Sequence, residues 1–432
     1  MLFTIFEQQE SPKGGIKMLP IVKLPSFVET ILPRFALIFN KAQLRHFGEY
    51  LTGLMVSENK TVTGINSQFI NHTDQSSKNH FLTESDWDEQ RVTEVRLSMV
   101  NEQRKKRHIT DGILVIDDSL AHKSGTHIEG ANWFWDHTER AYAFAHQLVT
   151  SQYVTKLFHV PLHYRLYLKE EDVTPGSFQS KIDLAIQLIK EAVAAEIPFS
   201  CIAADSWYFC EKIIEFLASL DKYWVFASKS NRLVNVANRW MSLKEFVKTL
   251  TSPDFKQVKI LKTNGTELCV WAYAITVRMK KVGRVKVVIS FLEEPFKGDP
   301  FFLVTNRKEW KIVTILSTYA QRWPIETFYR DAKQNLGLEA CEMRLLKGIR
   351  RHWDLVFLAY TLLQIESLSG PLSKWITSNV VTIGGKCRIA SAEIFRSFIF
   401  WAYQQFNQDT SADNVFKIAM KGNPQLQLAL FG

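Results

Sequence analysis

The chain has 432 residues, 46% of them hydrophobic and 22% charged, so it is long enough for roughly two to four folding units and too apolar for disorder over most of its length. Lys and Arg number 53 against 44 Asp and Glu, and the formal charge of +9 favours a polyanionic partner such as nucleic acid. Five scattered cysteines without a C-x-x-C pair argue against a zinc knuckle and a disulfide framework, and no apolar run reaches the about 18 residues that span a bilayer. The opening MLFTIFEQQESPKGG lacks a basic segment followed by a long apolar one, so a soluble cytoplasmic protein is expected, with no membrane partner.

Residues 1–105 read as a helical region. RFALIFNKAQLRHFGEYLTGLM and SSKNHFLTESDWDEQRVTEVRLSMV carry apolar residues at helical spacing, and TVTGINSQF has the character of the turn in a helix-turn-helix. After the basic run Arg104 to His108 the pattern changes. ILVIDDS, AYAFAHQLVTSQYV and HVPLHYRLYL read as three strands, and SKIDLAIQLIKEAVAAEI as an amphipathic helix. The strand FSCIAAD, the helix FCEKIIEFLASL and the strand YWVFAS follow, which makes 106–250 the first part of an α/β core.

Residues 251–305 are expected to be a β-rich insertion, with FKQVKILKT, an Asn264-Gly265 turn, ELCVWAYAITVRM and RVKVVISFL. Residues 306–368 return to helix as the second part of the core, and 369–432 form a helical C-terminal region ending in FRSFIFWAYQQF.

Two acidic positions follow apolar strands. Asp117 and Asp118 end ILVI, and Asp205 ends CIAA, so both tips share one edge if the strands are neighbours. Carboxylates gathered there suit hard divalent cations, which activate water and stabilise a leaving oxygen in phosphodiester cleavage. A strand-end Asp is also a common turn or capping residue. Further on, STYAQRWPIETFYRDAKQNLG places Tyr319, Arg322, Glu326 and Lys333 in a Y-x2-R-x3-E-x6-K spacing. At 100° per residue these lie within about 60° on one helical face, a carboxylate flanked by two cations and a phenol. A solvated face with an Arg322 to Glu326 pair has the same pattern, and Pro324 marks a helix start or a kink.

That spacing, with Arg322-Trp323 and Ile325-Glu326 inside it, resembles the signature of bacterial insertion-sequence transposases of the DDE superfamily, the YREK group. Asp117 in D-x-[ST] form and Asp205 in ADSWY stand in the matching order, and the resemblance covers roughly 111–364. It implies an RNase H-like core with Asp117, Asp205 and Glu326 as a catalytic, metal-binding triad for two Mg²⁺ or Mn²⁺ ions. It further implies hydrolysis at the transposon ends and joining of the 3′-hydroxyls to target DNA, in a homodimeric synaptic complex on the nucleoid. Tyr319, Arg322 and Lys333 would contact DNA near the cleaved end. Asp118 is the rival to Asp117, and alternation along a strand admits only one of them to the site.

Other residues receive structural readings. His122, His127, His137 and His146 match no zinc motif, Trp207 and Tyr208 are expected to pack under the site, and Trp271 to sit on a sheet face. Arg278, Lys280, Lys281, Arg284, Lys286, Arg344, Lys347, Arg350 and Arg351 are candidate DNA-backbone contacts or ordinary surface. Two other function classes fit the same residues: a transposase-derived DNA-binding protein without turnover, and a metal-dependent nuclease that cleaves without joining.

Overall fold

A computed structural model describes residues 20–125, 127–261, 266–369 and 382–420; the opening segment, the Asn264-Gly265 turn and the start of the C-terminal region lie outside these. The chain begins with α1 (Ser26–Ile31), α2 (Lys41–Val56), α3 (Val62–Asn66), α4 (Gln75–Thr83) and α5 (Glu89–Lys106). Strands β1 (Ile113–His122), β2 (Asn132–Asp136), β3 (Ala141–Val154) and β4 (His159–Tyr167) follow. Then come α6 (Lys181–Ala194), β5 (Cys201–Ala204), α7 (Glu211–Ser219), β6 (Tyr223–Ala227), β7 (Leu233–Val236), β8 (Arg239–Ser242) and α8 (Leu243–Val247). The remainder holds β9 (Lys256–Leu261), β10 (Glu267–Met279), β11 (Gly283–Phe291) and β12 (Phe301–Thr305), then α9 (Ile312–Ala320), α10 (Trp323–Leu336), α11 (Leu346–Ser369), α12 (Ile383–Phe406) and α13 (Ala412–Met420).

Among the described residues, one compact unit comprises 105–120 and 146–328, and a second comprises 20–104, 121–145 and the described part of 329–420. The first is a mixed α/β unit. Its strands run in the order β3-β1-β5-β6-β12-β11-β10-β7-β8, with β4 on β3 and β9 on β10. Ile113 to Ile116 of β1 and all of β5 are buried, because parallel strands connected through helices are covered on both faces and become continuously apolar. Gly112 is required at the entrance to β1: a Cβ there would stand 2.4 Å from a ring carbon of Tyr153 and 2.8 Å from the Val154 carbonyl.

The β-rich block does not form a separate body. β12, the last strand of 251–305, pairs antiparallel with both β6 and β11 and so joins the block to the core sheet. The edge of β6 presents unpaired backbone groups, and β12 satisfies them. The short strands β2, β7 and β8 were not legible in the sequence, being four or five residues long with little alternation.

The second unit is mainly helical, with β2 paired to the first five residues of β3. TVTGINSQF contains a one-turn helix, α3, where a turn was expected; the Thr61 hydroxyl caps it by accepting from Gly64 N–H at 3.1 Å. Gly53 of α2 lies so close to Ile65 that an added Cβ would meet its Cγ2 at 2.3 Å. Arg351, a candidate DNA contact by sequence, is buried. It donates to Glu89 Oε1 at 2.5 Å and to the carbonyls of Ser85 and Trp87 at 2.8 and 2.9 Å, and ties α11 to the loop between α4 and α5. No helix among the described residues is long and apolar enough to cross a membrane.

Candidate active site

Parallel pairing of β1 with β5 matches Ile116 to Ala204, so Asp117 and Asp205 occupy the next position on adjacent strands. The carboxylates feel each other. Burial pushes Asp117 up to about 7 against the Arg322 charge, and the negative charges of Asp205 and Asp118 push the same way. Asp205 is also raised, by burial first, against a hydrogen bond from the backbone of Trp207 and the charge of Arg322.

Alternation along β1 separates the two neighbouring aspartates. The Asp118 carboxylate accepts from Tyr208 Oη at 2.8 Å, Gln147 Nε2 at 2.8 Å and Lys181 Nζ at 2.9 Å, so protein donors already hold it. Asp117 meets Arg322 instead: Nη1 donates to Asp117 Oδ2 at 2.6 Å, and Nη2 of the same guanidinium donates to Glu326 Oε1. The carboxylates, Asp117 foremost, outweigh burial and raise the guanidinium above its ordinary value. Arg322 therefore bridges an acid midway along β1, just past its pairing with β5, to an acid in the first turn of α10.

The signature segment is not one helix. α9 ends at Ala320, Gln321 and Arg322 form a turn, and α10 begins at Trp323 with Pro324 in its first turn, where a missing N–H costs nothing. The single-face geometry expected for Tyr319 to Lys333 is therefore broken at Arg322, and the break turns that side chain toward Asp117. Tyr319 is 5% exposed, with its ring 5.6 Å from that of Phe301 and its hydroxyl pushed up to about 12 by burial, so its side chain offers little surface to DNA.

Lys333 belongs to the second unit, where it pairs with Glu339 Oε1 at 3.0 Å. Glu339 also accepts from His122 Nδ1 at 3.0 Å, and His122 Nε2 meets Asp136 Oδ2 at 2.8 Å, so this histidine is held between two carboxylates. Among the described residues no group of three or more His, Cys, Asp or Glu side chains is arranged to hold a metal ion. The donor chemistry of Asp117, Asp205 and Glu326, carboxylate oxygens only, suits a hard cation such as Mg²⁺ or Mn²⁺, and the positive charge that two of them share is Arg322.

Two contributors were not foreseen from the sequence. Gln147 and Lys181 fix Asp118, a role that no spacing announces. Tyr208 packs under the site as expected, whereas Trp207 is 57% exposed. The alternation of a buried and an exposed aromatic directly after Asp205 was the available signal.

Two comparisons with known proteins bear on the class of protein. Residues 33–241 match a family model described as DDE superfamily endonuclease, a stretch that contains Asp117 and Asp205 and ends before Glu326. Over 185 residues the chain is 25% identical to the probable transposase for insertion sequence element IS701 of Microchaete diplosiphon, covering 40% of this chain and 46% of that protein. The chain thus matches about half the length of this relative. One similarity is to a DDE superfamily endonuclease domain and the other to an insertion-sequence transposase.

Proposed function

We propose that the chain is a DDE transposase of an insertion sequence, which binds the ends of its element, hydrolyses phosphodiester bonds there and joins the freed 3′-hydroxyls to target DNA. The observation that carries this reading is the convergence of acids from distant sequence positions. Asp117 and Asp205 directly follow the paired stretch of the adjacent parallel strands β1 and β5, and Arg322, 205 residues after Asp117, links it to Glu326. The strand order β4-β3-β1-β5-β6 supports an RNase H-like core around them.

In this reading Asp117, Asp205 and Glu326 would hold two Mg²⁺ or Mn²⁺ ions, which would supply an activated water and charge stabilisation at the leaving oxygen. Asp118 keeps its three protein donors and orients β1 rather than reacting. The Arg322 guanidinium, planar and permanently charged, is suited to exchange a carboxylate for a phosphate oxygen of DNA through the same paired N–H groups. Lys333, held by Glu339, contributes a point charge to the DNA backbone. The working state is a homodimer on two paired ends, in the cytoplasm with the nucleoid.

The contact of Arg322 with two of the three acids also favours a second reading, a DNA-binding derivative without turnover. Excision of an element bounded by the DNA flanking this gene separates the two. Wild type excises, Asp118→Ala retains activity, and Asp117→Ala, Asp205→Ala and Glu326→Ala lose it. Binding of those ends without excision by wild type would select the second reading.

A further inference from the structure

Trp207 stands out among the tryptophans near the site, since Trp224 on the neighbouring strand β6 is 3% exposed and Trp207 57%. Its place is nevertheless fixed. The Trp207 backbone N–H donates to Asp205 Oδ1 at 2.9 Å, and the next two residues, Tyr208 and Phe209, are buried. The loop is anchored on both sides of a side chain that is left uncovered.

Two ammonium groups attend the indole. Lys181 Nζ and Lys229 Nζ each lie 5.4 Å from its ring centroid. Lys181 is already committed, donating to Asp118 at 2.9 Å and lying 5.6 Å from the Tyr167 ring. Lys229 is exposed, two residues beyond β6. β1, β5 and β6 are mutually parallel; Asp205 with Trp207 and Lys229 follow the carboxyl ends of β5 and β6, and Asp117 is the residue of β1 just past its paired stretch with β5.

An uncovered indole beside an exposed ammonium is a poor choice for stability alone, because the ring stays in water. They match the two chemical faces of a nucleotide, a flat base and an anionic phosphate. We infer that Trp207 and Lys229 form a binding surface for unpaired DNA beside Asp205: a base stacks on the indole and its phosphate meets the Lys229 ammonium. Lys181 is a positioning residue, linking the indole to Asp118. This surface rests on the transposase reading for its role, since it would hold the strand whose phosphate is cleaved.

The test uses the full-length protein in EDTA and a single-stranded oligothymidylate of twelve nucleotides with one 5-iodouracil. Irradiation is expected to crosslink the probe to the peptide containing Trp207. By fluorescence anisotropy, Trp207→Ala should bind the probe roughly tenfold more weakly while Trp207→Phe stays within about threefold of wild type, since stacking tolerates another aromatic. Lys229→Gln should reduce the salt slope of binding by about 0.7. A crosslink mapped elsewhere, together with unchanged affinity of Trp207→Ala, overturns the inference. Mg²⁺-dependent cleavage of element ends by wild type is measured in parallel. Cleavage without a Trp207 effect removes only this surface, whereas a Trp207 effect without cleavage leaves the surface standing and removes the transposase reading.

Discussion

Two arginines, one in each unit, show how the same side chain serves different ends. Arg351 is 1% exposed and divides its donors between Glu89 and main-chain carbonyls of Phe81, Leu82, Ser85 and Trp87, with its guanidinium 4.1 Å from the Trp87 ring. Arg322 has a side chain 13% exposed and divides its donors between the carboxylates of Asp117 and Glu326. Carbonyls inside a packed unit have no other partner to take, so Arg351 is a fixed joint. Carboxylates can exchange one cation for another, so Arg322 is a replaceable partner.

The largest expected effect lies on the replaceable side. Glu326→Gln keeps the shape of the side chain and removes its charge, and end cleavage should fall by roughly 10³-fold or more, the equivalent of several kcal/mol of charge stabilisation. A gel assay of end cleavage measures this, and a variant cleaving near the wild-type rate would remove Glu326 from the triad. On the fixed side, Arg351→Met should destabilise the second unit by about 3–5 kcal/mol in urea unfolding, because it leaves Glu89 and several carbonyls without their donor. Arg322→Met should cost clearly less, since the carboxyl of Asp117 already binds a proton near neutrality. Equal costs would erase the contrast between the two arginines.

Their surroundings also respond to pH in opposite directions. Burial is the main cause that lowers His352 to about 3; Tyr50 Oη donates to its Nδ1 at 2.8 Å, and its Nε2–H donates to the Gly337 carbonyl at 2.7 Å. The unfolded chain protonates this histidine first, so its contribution is present above about pH 6.5 and is lost as pH falls toward 3, at up to about 1.4 kcal/mol per pH unit. Asp117 is raised, so its contribution is present at low pH and is lost as pH rises from the ordinary aspartate value through about 7. Unfolding followed by hydrogen exchange on peptides of each unit should show weakening near His352 as pH falls and weakening near Asp117 as pH rises toward neutrality. His352→Gln should flatten the first and Asp117→Asn the second; parallel profiles in both regions would contradict the assignment.

The smallest effect concerns Lys333. Lys333→Ala should weaken binding to an element end and lower the salt slope by about 0.9, the value for one phosphate contact on duplex DNA. An unchanged slope would mean that the pair with Glu339 is its whole role.

Much of the site was legible in the sequence because local rules govern its parts. CIAAD declares a buried strand with a polar tip, whereas ILVI followed by acids declares only the buried half of a strand that runs on through Asp117 and Asp118 to His122. Pro324 announces a helix start by its missing N–H. The second unit was less legible. Arg351 and Arg350 look alike in sequence, and only the fold decides that one is buried against Trp87 while the other is at the surface. Short strands such as β2 and β7 carry too few residues to show a period.

The amino-acid sequence by itself determined the order of helices and strands, the candidate acids and the spacing of Tyr319, Arg322, Glu326 and Lys333, because periodicity and strand-end chemistry act over a few residues. Tertiary structure alone decided that Asp117 faces Arg322 while Asp118 is held by Lys181, Gln147 and Tyr208, that Tyr319 is buried, and that Trp207 is not. Those outcomes depend on which strands become neighbours and where a helix breaks, and contacts between residues some 30 to 200 positions apart leave no local trace in the chain.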